Sequence, residues 1–135
     1  MNNQIEIIYE GNLRTKAVHI DSGSELLTDA PIDNKGKGEK FSPTDLVATA
    51  LGSCMLTIMG ITANVHNIDV KGTKVKVEKI MGTDPRRIAQ INMEVIFKSS
   101  ISNKNKIILE RAAKHCPVAK TLEDNIEENI KFIYL

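Results

Sequence analysis

The sequence predicts an α+β domain built on antiparallel sheet, and three observations carry that reading. Apolar and polar residues alternate near both ends of the chain and in a central pair of segments. One long uncharged run follows helical spacing, and the elements succeed each other in the order βββ-α-ββ-αα-β. That order contains no repeated strand–helix–strand unit, which disfavours a doubly wound parallel sheet. At 135 residues the chain has the length of a single domain, 1–135, with room for one core.

Ile5, Ile7 and Tyr9 alternate with polar residues and predict a first strand, and Glu10-Gly11-Asn12 offers the turn that ends it. Leu13 to Ile20 reads as the second strand, Asp21-Ser22-Gly23-Ser24 as a turn, and Glu25 to Thr28 as a short third strand. Asp29 to Lys40 crowds Asp, Pro, Asn and Gly together and predicts a loop. Ser42 then opens the central helix: its hydroxyl suits the N-cap, Pro43 suits the first helical position, and Asp45 stands where a capping box needs an acid. Leu46, Ala50, Leu51, Cys54, Met55, Ile58, Thr62 and Val65 keep helical spacing up to an end near His66.

Val70 to Met81 and Arg87 to Lys98 alternate on either side of a turn at Gly82-Thr83-Asp84-Pro85, which predicts a hairpin. Ser102 starts a second amphipathic helix, with Ile107, Ile108, Leu109 and Ala112 expected on its inner face. Pro117 breaks it. Cys116 takes the N-cap place of a short third helix running to about Asp124, and Ile126 to Leu135 closes the chain as a strand.

Composition narrows the function. Eighteen basic and 17 acidic residues leave a net charge of +1, spread along the chain, which argues against binding nucleic acid or a membrane surface through charge. The N-terminal residues show no basic segment followed by an apolar run, so no secretory signal is expected and a cytoplasmic, thiol-reducing compartment is. There is no CxxC pair, no zinc spacing of Cys and His and no glycine-rich phosphate loop, and His19, His66 and His115 are scattered. No metal or bound cofactor is expected. Leu46 to Ala63 is uncharged over 18 residues, long enough for a membrane span, but Ala, Thr, Gly and Ser interrupt it and no aromatic or basic anchors flank both ends closely. A helix apolar all round in so small a domain is more economically explained by a second subunit covering part of it.

The two cysteines are the residues with chemistry to offer. A thiol that is oxidised and a second that traps the product suffice to reduce a peroxide. Cys54, mid-helix among Leu and Met, reads on its own first as a small buried hydrophobe, and it would need a cation from elsewhere in the chain to become a thiolate. Cys116, at a helix start beside Lys114, His115 and Lys120, has local reasons to favour the thiolate, although Cys-Pro also serves simply to start a helix. The arginines are Arg14, Arg86, Arg87 and Arg111. Each is a possible cation for a thiol or a peroxide, with solvated surface charge the plainer reading.

Phe41 to Met55, the loop Thr28 to Gly36, and His115 to Leu122 together resemble the osmotically inducible protein C (OsmC/Ohr) family, in the branch with Ser42-Pro43-Thr44-Asp45-Leu46 ahead of the first cysteine. The resemblance runs over nearly the whole chain. It implies an α+β fold in an intertwined homodimer whose Cys-bearing helices form the core, and thiol-dependent reduction of organic hydroperoxides. On that resemblance Cys54 is the peroxidatic thiol, Cys116 the resolving thiol and Arg14 the activating cation. Thr44, Asp45, Leu51 and Met55 are expected at the substrate. An external dithiol, often a lipoylated protein in that family, would reduce the resulting disulfide. In better-characterised members a Glu ten residues before the peroxidatic Cys pairs with the arginine; here that place is Thr44, with Asp45 next to it and Glu39 a few residues earlier. A redox-sensing or non-catalytic dimer that binds a small apolar ligand is the alternative implied by that departure.

Overall fold

The computed structural model describes residues 4–135, which fall into two compact units, one ending at Val47 and the other running from Ala48 to Leu135. The expected α+β order of elements is present throughout.

The first unit is a three-stranded antiparallel sheet of β1 (Ile5–Gly11), β2 (Arg14–His19) and β3 (Glu25–Asp29), in the order β1-β2-β3. Asn12 and Leu13 both take positive φ, 55° and 63°, between β1 and β2. A two-residue turn of that hand matches the twist of the flanking strands. Leucine seldom adopts this conformation. The Leu13 N–H donates to the Tyr9 hydroxyl and its carbonyl accepts from Ala30 N–H, and these bonds hold the corner from which Arg14 starts β2. Ile5, Ile7, Ile8 and Tyr9 along β1 are each more than half exposed.

The loop after β3 contains one turn of 3-10 helix, Ile32–Asn34, and returns to its own starting point: Asp29 N–H donates to the Phe41 carbonyl. Its closure depends on Gly36, where an added Cβ would lie 1.7 Å from the Ala30 carbonyl oxygen. Helix α1 (Pro43–Val65) follows, and its start is the reciprocal capping box anticipated above. Asp45 N–H donates to Ser42 Oγ at 3.0 Å, and Ser42 N–H donates to the Asp45 carboxylate at 3.0 Å.

The second unit holds β4 (Lys74–Gly82), β5 (Arg87–Phe97), α2 (Asn103–Lys114), α3 (Pro117–Leu122) and β6 (Glu127–Tyr134). Its sheet order is β4-β5-β6. Ile91, Met93, Val95 and Phe97, one face of β5, join Leu51, Met55, Met59 and Ala63 of α1 and Leu109 and Ala113 of α2 in one buried cluster. Burying a large apolar side chain fully contributes about 1.5–3 kcal/mol, so this cluster is the main source of cohesion in the unit.

Three details differ from the sequence reading. β6 runs parallel to β5, although antiparallel sheet was expected throughout, because α2 and α3 together form the crossover that a parallel pair requires. β4 begins at Lys74 and not Val70, since Thr73 turns back on the Val70 carbonyl through both its N–H and its hydroxyl. On α2 the deepest residues are Leu109 and Ala113, one turn apart, while Ile107 points outward and is 60% exposed. The apolar triplet Ile107-Ile108-Leu109 left the phase of that helix ambiguous, and packing selects the Leu109–Ala113 stripe.

Gly36→Ala is expected to destabilise the protein by about 1–3 kcal/mol, as overpacking against rigid backbone does. A lower urea midpoint with unchanged slope would register it, and an unchanged midpoint would show that the loop relaxes freely.

Candidate active site

Cys54 and Cys116 both belong to the second unit, and both are free thiols. Cys54 sits on α1 between the fully buried Leu51 and Met55 and is itself half-buried, packed against the core cluster. Cys116 is completely buried. It continues the inner stripe of α2, Leu109 and Ala113, into the start of α3, where it is the N-cap and Pro117 takes the first helical position. Its Sγ accepts the Ala119 N–H at 3.3 Å. The Cys54 thiol is near enough to Cys116 to act on its titration, raising its pKa.

Burial decides the state of the resolving candidate. A helix N-terminus was expected to favour the Cys116 thiolate, and the Ala119 N–H does pull that way. Removal from water outweighs it, and with the Cys54 thiol and the Glu128 carboxylate adding to the same direction, the Cys116 pKa is pushed up to about 11. At neutral pH Cys116 is therefore a protonated thiol.

Arg14 forms its own cluster within the first unit. Its guanidinium meets the Asp29 carboxylate in a two-pronged pair, Nε to Oδ1 and Nη2 to Oδ2, each 2.8 Å, and Nη2 also reaches Glu39 Oε1 at 3.1 Å. Arg14 and Asp29 are direct cross-strand partners in the β2–β3 register. Asp29 is only 1% exposed, and its carboxylate also takes the backbone N–H groups of Glu39 and Lys40. The hydrogen bonds from Arg14 dominate and hold Asp29 below the usual carboxylate range, while the same pair keeps Arg14 charged. The carboxylates on Arg14 thus come from the end of β3 and from the loop.

The other expected residues lie as follows. Asp45 is committed to the capping box, and the Thr44 hydroxyl bonds to Ser42 Oγ in the same turn. Leu51 and Met55 are fully buried in the core of the second unit. An open apolar groove of about 420 Å³ in that unit lies beside a different face of α1, lined by Gly52, Ser53, Leu56 and Thr57 together with Val75 and Val77 of β4. Sequence reasoning missed two carboxylates. Asp29 was visible only as the residue opposite Arg14 once the hairpin register is drawn. Glu128 was visible as an acid on the otherwise apolar stripe Glu128, Ile130, Phe132, Tyr134 of the last strand. Among the described residues no group of three or more His, Cys, Asp or Glu side chains is placed to hold a metal ion.

A carboxylate held below its ordinary pKa stabilises the fold above that pKa, and the contribution disappears as pH falls through the lowered value. Asp29→Asn is accordingly expected to cost most stability near neutrality. The gap to the parent should narrow on acidification below about pH 4, the ordinary aspartate range. Urea midpoints across pH measure it; a gap independent of pH would mean that the charge of Asp29 contributes nothing.

The model of the OsmC-like protein family matches residues 36–131. A crystal structure from Psychrobacter arcticus, of a protein named for osmotic stress induction and a detoxification response, is 45% identical, with 98% of this chain and 96% of that one covered at a TM-score of 0.93. An OsmC-like protein from Mycoplasma pneumoniae shares 17% identity, with coverage of 100% and 98% and a TM-score of 0.84. An organic hydroperoxide resistance protein OsmC from Legionella pneumophila shares 16%, with coverage of 98% and 97% and a TM-score of 0.78. No curated protein sequence matches the chain. The family match over most of the chain and the Psychrobacter likeness agree with the fold: the chain belongs to the OsmC-like family.

Proposed function

We propose that the protein is a thiol peroxidase that reduces organic hydroperoxides to alcohols. The observation that carries this reading is the nearness of the Cys54 and Cys116 thiols, one half-buried and the other sealed in the core. The Cys54 thiolate attacks the terminal oxygen of the hydroperoxide; the O–O bond breaks, the alkoxide leaves and is protonated, and Cys54 becomes a sulfenic acid. Cys116 then displaces water from that sulfur to give a disulfide, which an external dithiol, lipoyl-type in the family's manner, reduces back to two thiols. Arg14 supplies the activating charge in this scheme, with Asp29 and Glu39 fixing its fork in place of an acid at position 44. The name of the Legionella neighbour supports the substrate class, and the apolar groove beside α1 suits an alkyl chain.

The working form in this proposal is a homodimer in the cytoplasm. Helix α1 is long and apolar enough to cross a membrane by composition, and only 33% of its most apolar window is buried within the chain. Ile61 and Val65 on it, and Ile5, Ile7, Ile8 and Tyr9 on β1, leave apolar surface that a second copy would cover. A rival reading, a dimer that binds a small apolar ligand without turnover, draws on the raised Cys116 pKa and on Thr44 standing where relatives carry an acid.

Cys54→Ser is expected to abolish dithiol-dependent turnover of cumene hydroperoxide. Cys116→Ser should permit one turnover and leave a sulfenic acid that dimedone traps. In the parent, one equivalent of hydroperoxide should consume both thiols of a subunit. Unaltered steady-state rates in Cys54→Ser would remove the peroxidase reading and leave ligand binding. Light scattering should give twice the mass of the chain, and a detergent-free monomer would overturn the dimer.

A further inference from the structure

The Arg14 cluster of the first unit holds two acids that are not equivalent. An arginine presents five N–H donors in a rigid plane. Asp29 takes one fork of them, Nε to Oδ1 and Nη2 to Oδ2 at 2.8 Å each, and its side chain is only 1% exposed. The backbone N–H groups of Glu39 and Lys40 reach the same carboxylate. Glu39 makes a single contact with the guanidinium, Nη2 to Oε1 at 3.1 Å, and its side chain is 62% exposed. Its main chain is therefore pinned to Asp29 while its carboxylate stands in water. The loop that carries it is braced from within, since the Gly36 and Gly38 N–H groups donate to the Pro31 and Ala30 carbonyls. Withdrawing the Glu39 carboxylate needs only rotation about its own side-chain bonds.

The place of that carboxylate matters more than the strength of its bond. A guanidinium has a second fork, the edge between Nη1 and Nη2, which takes a carboxylate bidentately as the first one does. Asp29 occupies the side of Nε and Nη2, and Glu39 meets the other edge through Nη2 with one oxygen. An ion pair so exposed is weak and exchanges readily. We propose that Glu39 is an autoinhibitory contact on Arg14: it covers the outer fork of the guanidinium, and an external carboxylate takes that fork when Glu39 swings away. Asp29 keeps its own fork throughout, so the cation is presented in one orientation in both states. With both acids in place the cluster carries a net negative charge, which turns anions away. With Glu39 withdrawn it is neutral, and an incoming carboxylate replaces one of like charge. The contact concerns Arg14 alone and holds whether or not the thiols turn over peroxide.

Phenylglyoxal tests it, because the reagent condenses across the same Nη1–Nη2 edge and peptide mass mapping locates the adducts. Arg111, exposed on α2, serves as the reference within each sample. In Glu39→Gln, which keeps the size of the side chain and removes its charge, the ratio of Arg14 to Arg111 modification rates should rise roughly fivefold, the worth of an exposed ion pair. Glu39→Ala, which removes the oxygen as well, should rise at least as far. Sodium acetate should then slow Arg14 modification in Glu39→Gln more than sodium chloride does at equal ionic strength, and should do less to the parent, where Glu39 holds the edge. Amide hydrogen exchange at Gly36 and Gly38 should match the parent. An unchanged ratio in both variants means that Glu39 covers nothing, and the proposal fails. A raised ratio with acetate no better than chloride removes the carboxylate site and the proposal with it. Faster exchange at Gly36 and Gly38 in both variants makes Glu39 a strut of the loop, and the autoinhibitory contact is overturned. None of these outcomes bears on hydroperoxide turnover, which the cysteine variants decide separately.

Discussion

The meeting of two thiols distant in sequence is the constraint on which the second unit is organised. Neither cysteine positions itself. Cys54 is held by its helical neighbours Leu51 and Met55, which lie in the core and fix the rotation of α1 about its axis. Cys116 is held by the stripe that begins at Leu109 and Ala113 and by the proline that forces a new helix to start directly after it. β5 provides the surface both helices share, with Ile91, Met93, Val95 and Phe97 on one face. Displacing any of these would move a sulfur, and thiol chemistry across a pair tolerates little displacement.

The same burial that encloses Cys116 sets its protonation. A helix start lowers the pKa of an exposed cysteine, and the Ala119 N–H still donates to Cys116 here. Cys116, however, has no exposed surface, so the cost of placing a thiolate away from water exceeds what one N–H returns. A buried neutral thiol such as Cys116 is shielded from oxidation, since the thiolate is the form that oxidants attack.

Much of the fold was legible because local signals agreed with one another. The capping box at Ser42 and Asp45, the proline after Cys116 and the period-two alternation of β5 each specify one local conformation, and each is found. Signals that depend on tertiary choice were not legible. The direction of β6 follows from the crossover made by α2 and α3, and the inner stripe of α2 was one of several that an apolar triplet permits. At the candidate site the cysteines and Arg14 stood out by residue type. Their carboxylate partners did not, because Asp29 gains its meaning from strand register and Glu128 from facing inward on the last strand.

Those two carboxylates show how environment assigns role to identical chemistry. Asp29 is surrounded by donors: the fork of Arg14 and two backbone N–H groups hold it ionised, and in return it fixes the guanidinium and closes the loop beyond β3. It is suited to holding a charge still and unsuited to exchanging a proton. Glu128 has the opposite surroundings, an apolar stripe, a second acid and an oxygen with no donor, and burial above all raises its pKa over the ordinary glutamate value. The acid that is fully satisfied and the one that is left unsatisfied thus differ through the donors around them and not through their own chemistry.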